Sequence, residues 1–158
     1  MTFELKQLII LRHAERGGGL GSGNSVGISS RGLEQATAFA EQICSQFQGG
    51  NATEIALFSS PANRCQATLN PLSARINSAV SVHPDLNEQG HTEETDGMTE
   101  RIERIVENWK ATSQKKLTIF CTHNDWIASF YVKYFGREIW FDTCQSESIT
   151  LIGGELRR

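Results

Sequence analysis

The sequence predicts an α/β protein of three layers, with a mostly parallel central sheet covered by helices on both faces. Short apolar runs, Leu8-Ile9-Ile10-Leu11, Ile55-Ala56-Leu57-Phe58 and Leu117-Thr118-Ile119-Phe120-Cys121, each stop abruptly at polar residues, as strands buried on both faces do. Stretches with apolar residues at helical spacing separate these runs, and alternating strands and helices favour parallel pairing. No linker, low-complexity tract or internal repeat divides the 158 residues, so one domain spanning 1–158 is expected.

The first run ends in Arg12-His13-Ala14-Glu15-Arg16, followed by a glycine-rich segment from Gly17 to Gly23. Ser29-Ser30 then offers a helix cap, and Leu33, Ala36, Ala40, Ile43, Cys44 and Phe47 form the apolar face of a helix ending before Gly49-Gly50. The second run breaks at Ser59-Ser60-Pro61, and Cys65, Leu69, Leu72 and Ile76 mark one face of a second helix. Ala79-Val80-Ser81-Val82 predicts a short strand, and the polar stretch from Asp85 to Gly97 a loop. Met98, Ile102, Ile105, Val106 and Trp109 are spaced for a third helix with an ordinary solvated charged face. After the third apolar run and Thr122-His123-Asn124-Asp125 comes a helix through Ile127, Phe130, Tyr131 and Tyr134, stopped near Gly136. A last strand, Ser148-Ile149-Thr150-Leu151-Ile152, turns at Gly153-Gly154.

Composition narrows the partners. A net charge of −3 and adjacent basic pairs only at Lys115-Lys116 and Arg157-Arg158 give no footprint for nucleic acid or an anionic membrane. Met1 to Lys6 lacks the signature of an export signal, and no run approaches the ~18 apolar residues of a membrane span, so a cytoplasmic location is expected. Cys44, Cys65, Cys121 and Cys144 have no close pair, which suits buried reduced thiols rather than a zinc or redox motif.

In a parallel sheet the loops at the carboxyl ends of the strands share one edge, so Arg12 and His13, Arg64, and His123 can converge there. Arginine beside histidine suits an anion: guanidinium forks take phosphoryl oxygens in pairs, each charge-assisted bond contributing about 1.5–3 kcal/mol. Arg64 also stands near a predicted helix N-terminus, a poor place for a cation unless an anion offsets it.

The chain resembles the histidine phosphatase superfamily, also called phosphoglycerate mutase-like. The motifs that carry the resemblance are the strand into Arg12-His13, then Ile28-Ser29-Ser30-Arg31-Gly32-Leu33-Glu34-Gln35-Ala36, Ser59-Ser60-Pro61-Ala62-Asn63-Arg64, Thr68 and Thr122-His123-Asn124. The resemblance implies a phosphoglycerate mutase-like fold and a phosphohistidine mechanism: His13 as nucleophile, Arg12 and Arg64 gripping the phosphoryl group, His123 a further donor to it. A neutral imidazole can attack without a separate base, and neighbouring guanidinium charges favour that form. With arginines supplying the positive charge, no metal or cofactor is expected.

The leaving oxygen still needs a proton. Asp85-Leu86-Asn87-Glu88 resembles the mutase-like branch and points to Glu88, although Gln89-Gly90-His91 does not continue that pattern; Asp125 is the competitor by likeness to the acid phosphatase branch. Arg16, three residues past His13 as in that branch, Asn24 and Asn124 are candidate substrate contacts, and Ala14 stands where the family usually has glycine. Glu15, Glu93, Glu94 and Asp96 read as surface charges, His83 and His91 as structural or exposed, and Ser59 and Ser60 as shaping a turn. Trp126 and Trp140 fit either a substrate rim or packing. The expected activity is hydrolysis of a phosphorylated small molecule or of phosphohistidine on a protein. The alternatives are a phosphate-binding module with little turnover and a mutase-type phosphotransferase, which would need covering segments longer than these connections.

Overall fold

The computed structural model describes residues 5–18, 24, 26–47 and 54–158. Strands β1 (Lys6–Arg12), β2 (Ile55–Ser59), β3 (Val80–Val82), β4 (Leu117–Thr122), β5 (Ser146–Ile152) and β6 (Glu155–Arg157) form one sheet in the order β3-β2-β4-β1-β5-β6. The first four are parallel; β5 runs antiparallel to β1, and β6 to β5. Helices α1 (Ser30–Gln46), α2 (Asn63–Ile76), α3 (Thr95–Thr112) and α4 (Asn124–Phe135) cover it.

The alternation of side chains along each strand divides the core into two layers. Leu8, Ile10 and Phe120 pack with Ile102, Val106 and Trp109 of α3 and Trp126 and Phe130 of α4. Ile9, Leu11, Ile119 and Cys121 point the other way, onto Phe39 and Ile43 of α1 and Leu69 and Leu72 of α2. This is the expected three-layer arrangement. Cys44, Cys65, Cys121 and Cys144 are all free thiols, Cys65 and Cys121 fully buried.

Several elements depart from the expectations. Leu33 is 53% exposed, because α1 turns Gly32, Ala36 and Phe39 inward instead. The polar stretch after β3 is not all loop: Pro84–Leu86 forms a 3-10 turn, and α3 already begins at Thr95, taking in Gly97. The last predicted strand starts earlier, at Ser146, and is followed by β6 across the Gly153-Gly154 turn, where both glycines adopt positive φ. Trp126 is core, its indole N–H donating to Asp85 O at 2.8 Å, whereas Trp140 is exposed.

Strand register sets up the site. Arg12 pairs with Thr122, so the next residues, His13 and His123, leave the sheet side by side; Ser59 pairs with Cys121, which brings Ser60 alongside. Beyond these strand ends α2 and α4 start at once, α2 at Asn63 and α4 at Asn124 with His123 as its N-cap. Two helix N-termini therefore face the same edge, and their partial positive charge favours an anion there.

Candidate functional site

The His13 backbone is held from two sides: its N–H donates to Thr122 O at 3.1 Å and its carbonyl accepts from Cys144 N at 3.0 Å. The next residue, Ala14, donates its N–H to Thr68 Oγ1 at 2.8 Å, and that hydroxyl in turn donates to Arg64 O at 2.6 Å. The His13 ring then folds back so that Nδ1 lies 2.8 Å from Ala14 O. A carbonyl can only accept, so Nδ1 carries the proton and the neutral ring presents a lone pair at Nε2. Burial, reinforced by the charges of Arg64, Arg12 and Arg16 and only partly opposed by the Ala14 bond, brings the His13 pKa down to about 4.

His123 lies 5.4 Å away, centroid to centroid, at 61°. Arg64 Nη2 donates to its Nδ1 at 3.2 Å, which puts the ring proton on Nε2 and directs it to Ser60 Oγ at 2.8 Å. Burial and then the Arg64 charge lower its pKa to about 3, so the 4.0 Å approach of Glu88 Oε2 to Nδ1 involves a neutral ring and is no ion pair. The ion pair is between Glu88 and the buried Arg64, at 3.2 Å. The Glu88 carboxylate is 43% exposed and so stands at the mouth of the cluster.

Arg12 reaches the cluster from the end of β1, with Nη1 donating to Phe141 O at 2.9 Å; burial lowers its pKa against the opposing pull of Asp142, and its Nε is buried without a partner among the described residues. Arg16 is exposed and bridges to Ile28 in antiparallel fashion, near enough for its charge to act on His13. Gly17 N donates to Gly27 O at 2.8 Å, closing the base of the glycine segment, whose residues 19–23 lie outside the described ones. Asn24 is exposed, with no described bond to the cluster. Asn124 has both ends of its amide on the Phe141 backbone, Nδ2 to O at 2.9 Å and Oδ1 from N at 2.8 Å. It braces the segment that also receives Arg12.

The model of the histidine phosphatase superfamily, branch 1, matches residues 8–99, which take in Arg12, His13, Arg64 and Glu88. The chain belongs to that superfamily. Among solved structures it is similar to a phosphoserine phosphatase mutant of Entamoeba histolytica in complex with phosphoserine, at 13% identity and a TM-score of 0.76 over 96% of this chain and 94% of that one. It is similar also to a mycobacterial glucosyl-3-phosphoglycerate phosphatase, at 17% identity and TM-score 0.74 over 97% and 96%. The protein histidine phosphatase SixA, complexed with tungstate, follows at 17% and 0.70 over 96% and 92%. These likenesses speak for the fold. The search of curated proteins gave no match.

The superfamily motifs acquire local reasons in this chain. Gly32 is required where α1 enters beneath the His13 loop, since a Cβ there would stand 2.4 Å from Glu15 O. Ser29 caps α1 by accepting from Gly32 N at 3.0 Å and donates to Glu15 Oε1 at 2.9 Å, while Gln35 Oε1 accepts from Glu15 N at 2.9 Å. Glu15 is thus part of the scaffold under His13 and more than a surface charge. Ser60, expected only to shape a turn, fixes the His123 ring, and its neighbour Cys65 places Sγ 3.6 Å from the same Nε2.

Asp125, the expected competitor of Glu88, has both oxygens engaged by backbone donors: Trp126 N at 2.7 Å and Gln89 N at 2.7 Å. It holds the residue after Glu88. His83 accepts from Asp85 N at 3.1 Å and is structural, and His91 is exposed, as both readings expected. Asp85 is buried, and although burial alone would raise its pKa, the Arg104 fork at 2.9 and 2.7 Å holds it below the ordinary carboxylate value. Among the described residues no helix is long and apolar enough to cross a membrane.

Proposed function

We propose that the protein is a metal-independent phosphatase that hydrolyses phosphate monoesters, or phosphohistidine on a protein, through a covalent intermediate on His13. The observation that carries this reading is the Nδ1–H bond of His13 to Ala14 O at 2.8 Å, which fixes the tautomer with a bare Nε2 among the arginines. A pKa near 4 keeps that lone pair available at neutral pH.

In the first step Nε2 forms a bond to phosphorus as the bond to the leaving oxygen breaks, and Glu88, protonated once Arg64 has turned from it to the anion, delivers that proton to the oxygen. Arg12, Arg64 and the N-termini of α2 and α4 supply the positive charge that the equatorial oxygens need. Arg64 would exchange its 3.2 Å contacts with His123 and Glu88 for the anion. His123 can join as a donor if the Ser60 hydroxyl turns to donate to Nε2, which moves the ring proton to Nδ1. In the second step water attacks phosphorus, the bond to Nε2 breaks, and the Glu88 carboxylate takes the water's proton.

The test uses a generic aryl phosphate, whose good leaving group needs little help from an acid. Turnover that falls to background in His13→Ala supports the reading, and equal turnover in that variant removes His13 as nucleophile. A screen of phosphorylated metabolites and phosphohistidine proteins then assigns the substrate class, and binding without turnover would select the binding-module alternative.

A further inference from the structure

Glu88 sits in a stretch, residues 87–94, that belongs to no helix or strand. A carboxylate that must deliver a proton needs a fixed position, since small misplacements are costly in rate. We propose that Arg101 is a positioning residue for the acid, a latch on α3 that holds residues 85–93 in the shape that places the Glu88 carboxylate beside Arg64. The inference rests on the reading of Glu88 as proton donor.

The latch uses every donor of a guanidinium. Nη1 donates to Asp85 O at 3.0 Å and to Asn87 O at 3.1 Å, and Nη2 reaches Glu88 O at 3.4 Å. Nε and Nη2 grip the Glu93 carboxylate at 2.6 and 2.7 Å. The fork therefore ties the carbonyls on the near side of Glu88 to a carboxylate on its far side. A lysine, a point charge on a flexible stem, cannot reproduce a fork that spans both. Glu93 answers in kind: it accepts from Gly90 N at 3.3 Å, and its carbonyl accepts from Gln89 Nε2 at 2.8 Å.

Arg101 holds the Glu93 carboxyl below its ordinary pKa, so the two meet as an ion pair. The Arg101 charge still reaches the site, where it is the smallest of the named charges that lower the His123 pKa. Asp125 completes the grip from α4 through Gln89 N. Glu88 is held on its carbonyl side by one helix and on its following N–H by another.

The experiment measures kcat/KM for Arg101→Gln and Arg101→Lys on an aryl and an alkyl phosphate, alone and combined with Glu88→Gln. The expected result is a roughly ten- to hundredfold loss of kcat/KM, which reports only the steps through departure of the alcohol, on the alkyl ester, with little loss of kcat/KM on the aryl ester and no further loss in the Glu88→Gln background. Equal losses on both esters, or a loss that adds in full to that of Glu88→Gln, overturn the latch and leave Arg101 a stability residue only. If Glu88→Gln impairs the alkyl ester and Arg101→Gln does not, the acid assignment stands and the latch falls. If Glu88→Gln spares the alkyl ester, both fall. Should Arg101→Gln fail to fold, Glu93→Ala, which removes only the carboxylate end, is expected to show the same ester selectivity to a smaller degree, and equal effects on the two esters would overturn the latch.

Discussion

The two halves of the site are built differently. The cationic half, with His13, His123 and Arg64, stands on the ends of β1 and β4 and the first turn of α2, and each of these side chains is at most 8% exposed. The proposed acid half, around Glu88, stands on a loop and is half-exposed, held by side chains reaching from α3 and α4. In the first half strand register and core packing fix the geometry, so its groups cannot shift without disturbing the sheet. In the second, hydrogen bonds from single side chains do the same task. Substitutions in the first half should impair every substrate; those in the second should discriminate by leaving group.

Glu88→Gln is the sharpest probe of that contrast. It should lower kcat/KM on an alkyl phosphate by roughly a hundredfold or more and affect kcat/KM on an aryl phosphate little, since kcat/KM stops at departure of the alcohol, where the general acid acts. An equal loss of kcat/KM on both esters would erase the distinction between the halves. The corresponding Asp125→Asn change should show no such selectivity, because both Asp125 oxygens serve the backbone.

The buried histidines predict a stability signature. Each charges near 6.5 in the unfolded chain but only near 4 for His13 and 3 for His123 in the folded one. The unfolded state therefore binds more protons below about pH 6.5, and stability, complete above that value, declines as pH falls from there toward 4, by about 1.4 kcal/mol per pH unit for each ring. Urea unfolding of the native chain, of His13→Gln and of His123→Gln across that range should show the slope shrinking as each ring is removed. An unchanged slope would mean that the rings are not held neutral by the fold.

Arg64→Lys is expected to lower kcat/KM roughly ten- to hundredfold on aryl and alkyl phosphates alike, the loss of about 1.5–3 kcal/mol of charge-assisted hydrogen bonding. A selective effect would move Arg64 into the acid half. Gly32→Ala should destabilise the fold by about 1–3 kcal/mol through the clash with Glu15 O, read as a lower midpoint in urea, and it should loosen the His13 loop more than the Glu88 loop.

The same division explains what could be read in the sequence. Strands buried on both faces announce themselves as apolar runs that stop, so the places where Arg12-His13 and His123 emerge were legible, as were most helices. The meeting of these residues follows from parallel register. The acid half was less legible because Arg101 occupies a polar position of α3, and helical periodicity says only that such a residue avoids the core. That a loop folds back over its guanidinium is a tertiary fact with no local signal. Leu33 misled for a related reason: Gly32, needed at the crossing with the His13 loop, rotates α1 so that Phe39 and not Leu33 enters the core. The Asn124 amide clamps the Phe141 backbone, a long-range contact that its motif does not announce.

The central claim, covalent attachment at His13, is tested most directly by trapping. The protein is mixed briefly with an aryl phosphate, quenched in alkali to preserve phosphohistidine, digested and sequenced by mass spectrometry. A phosphoryl adduct on His13, absent from His13→Ala, is the predicted result. An adduct on another residue, or undiminished turnover in His13→Ala, would contradict it.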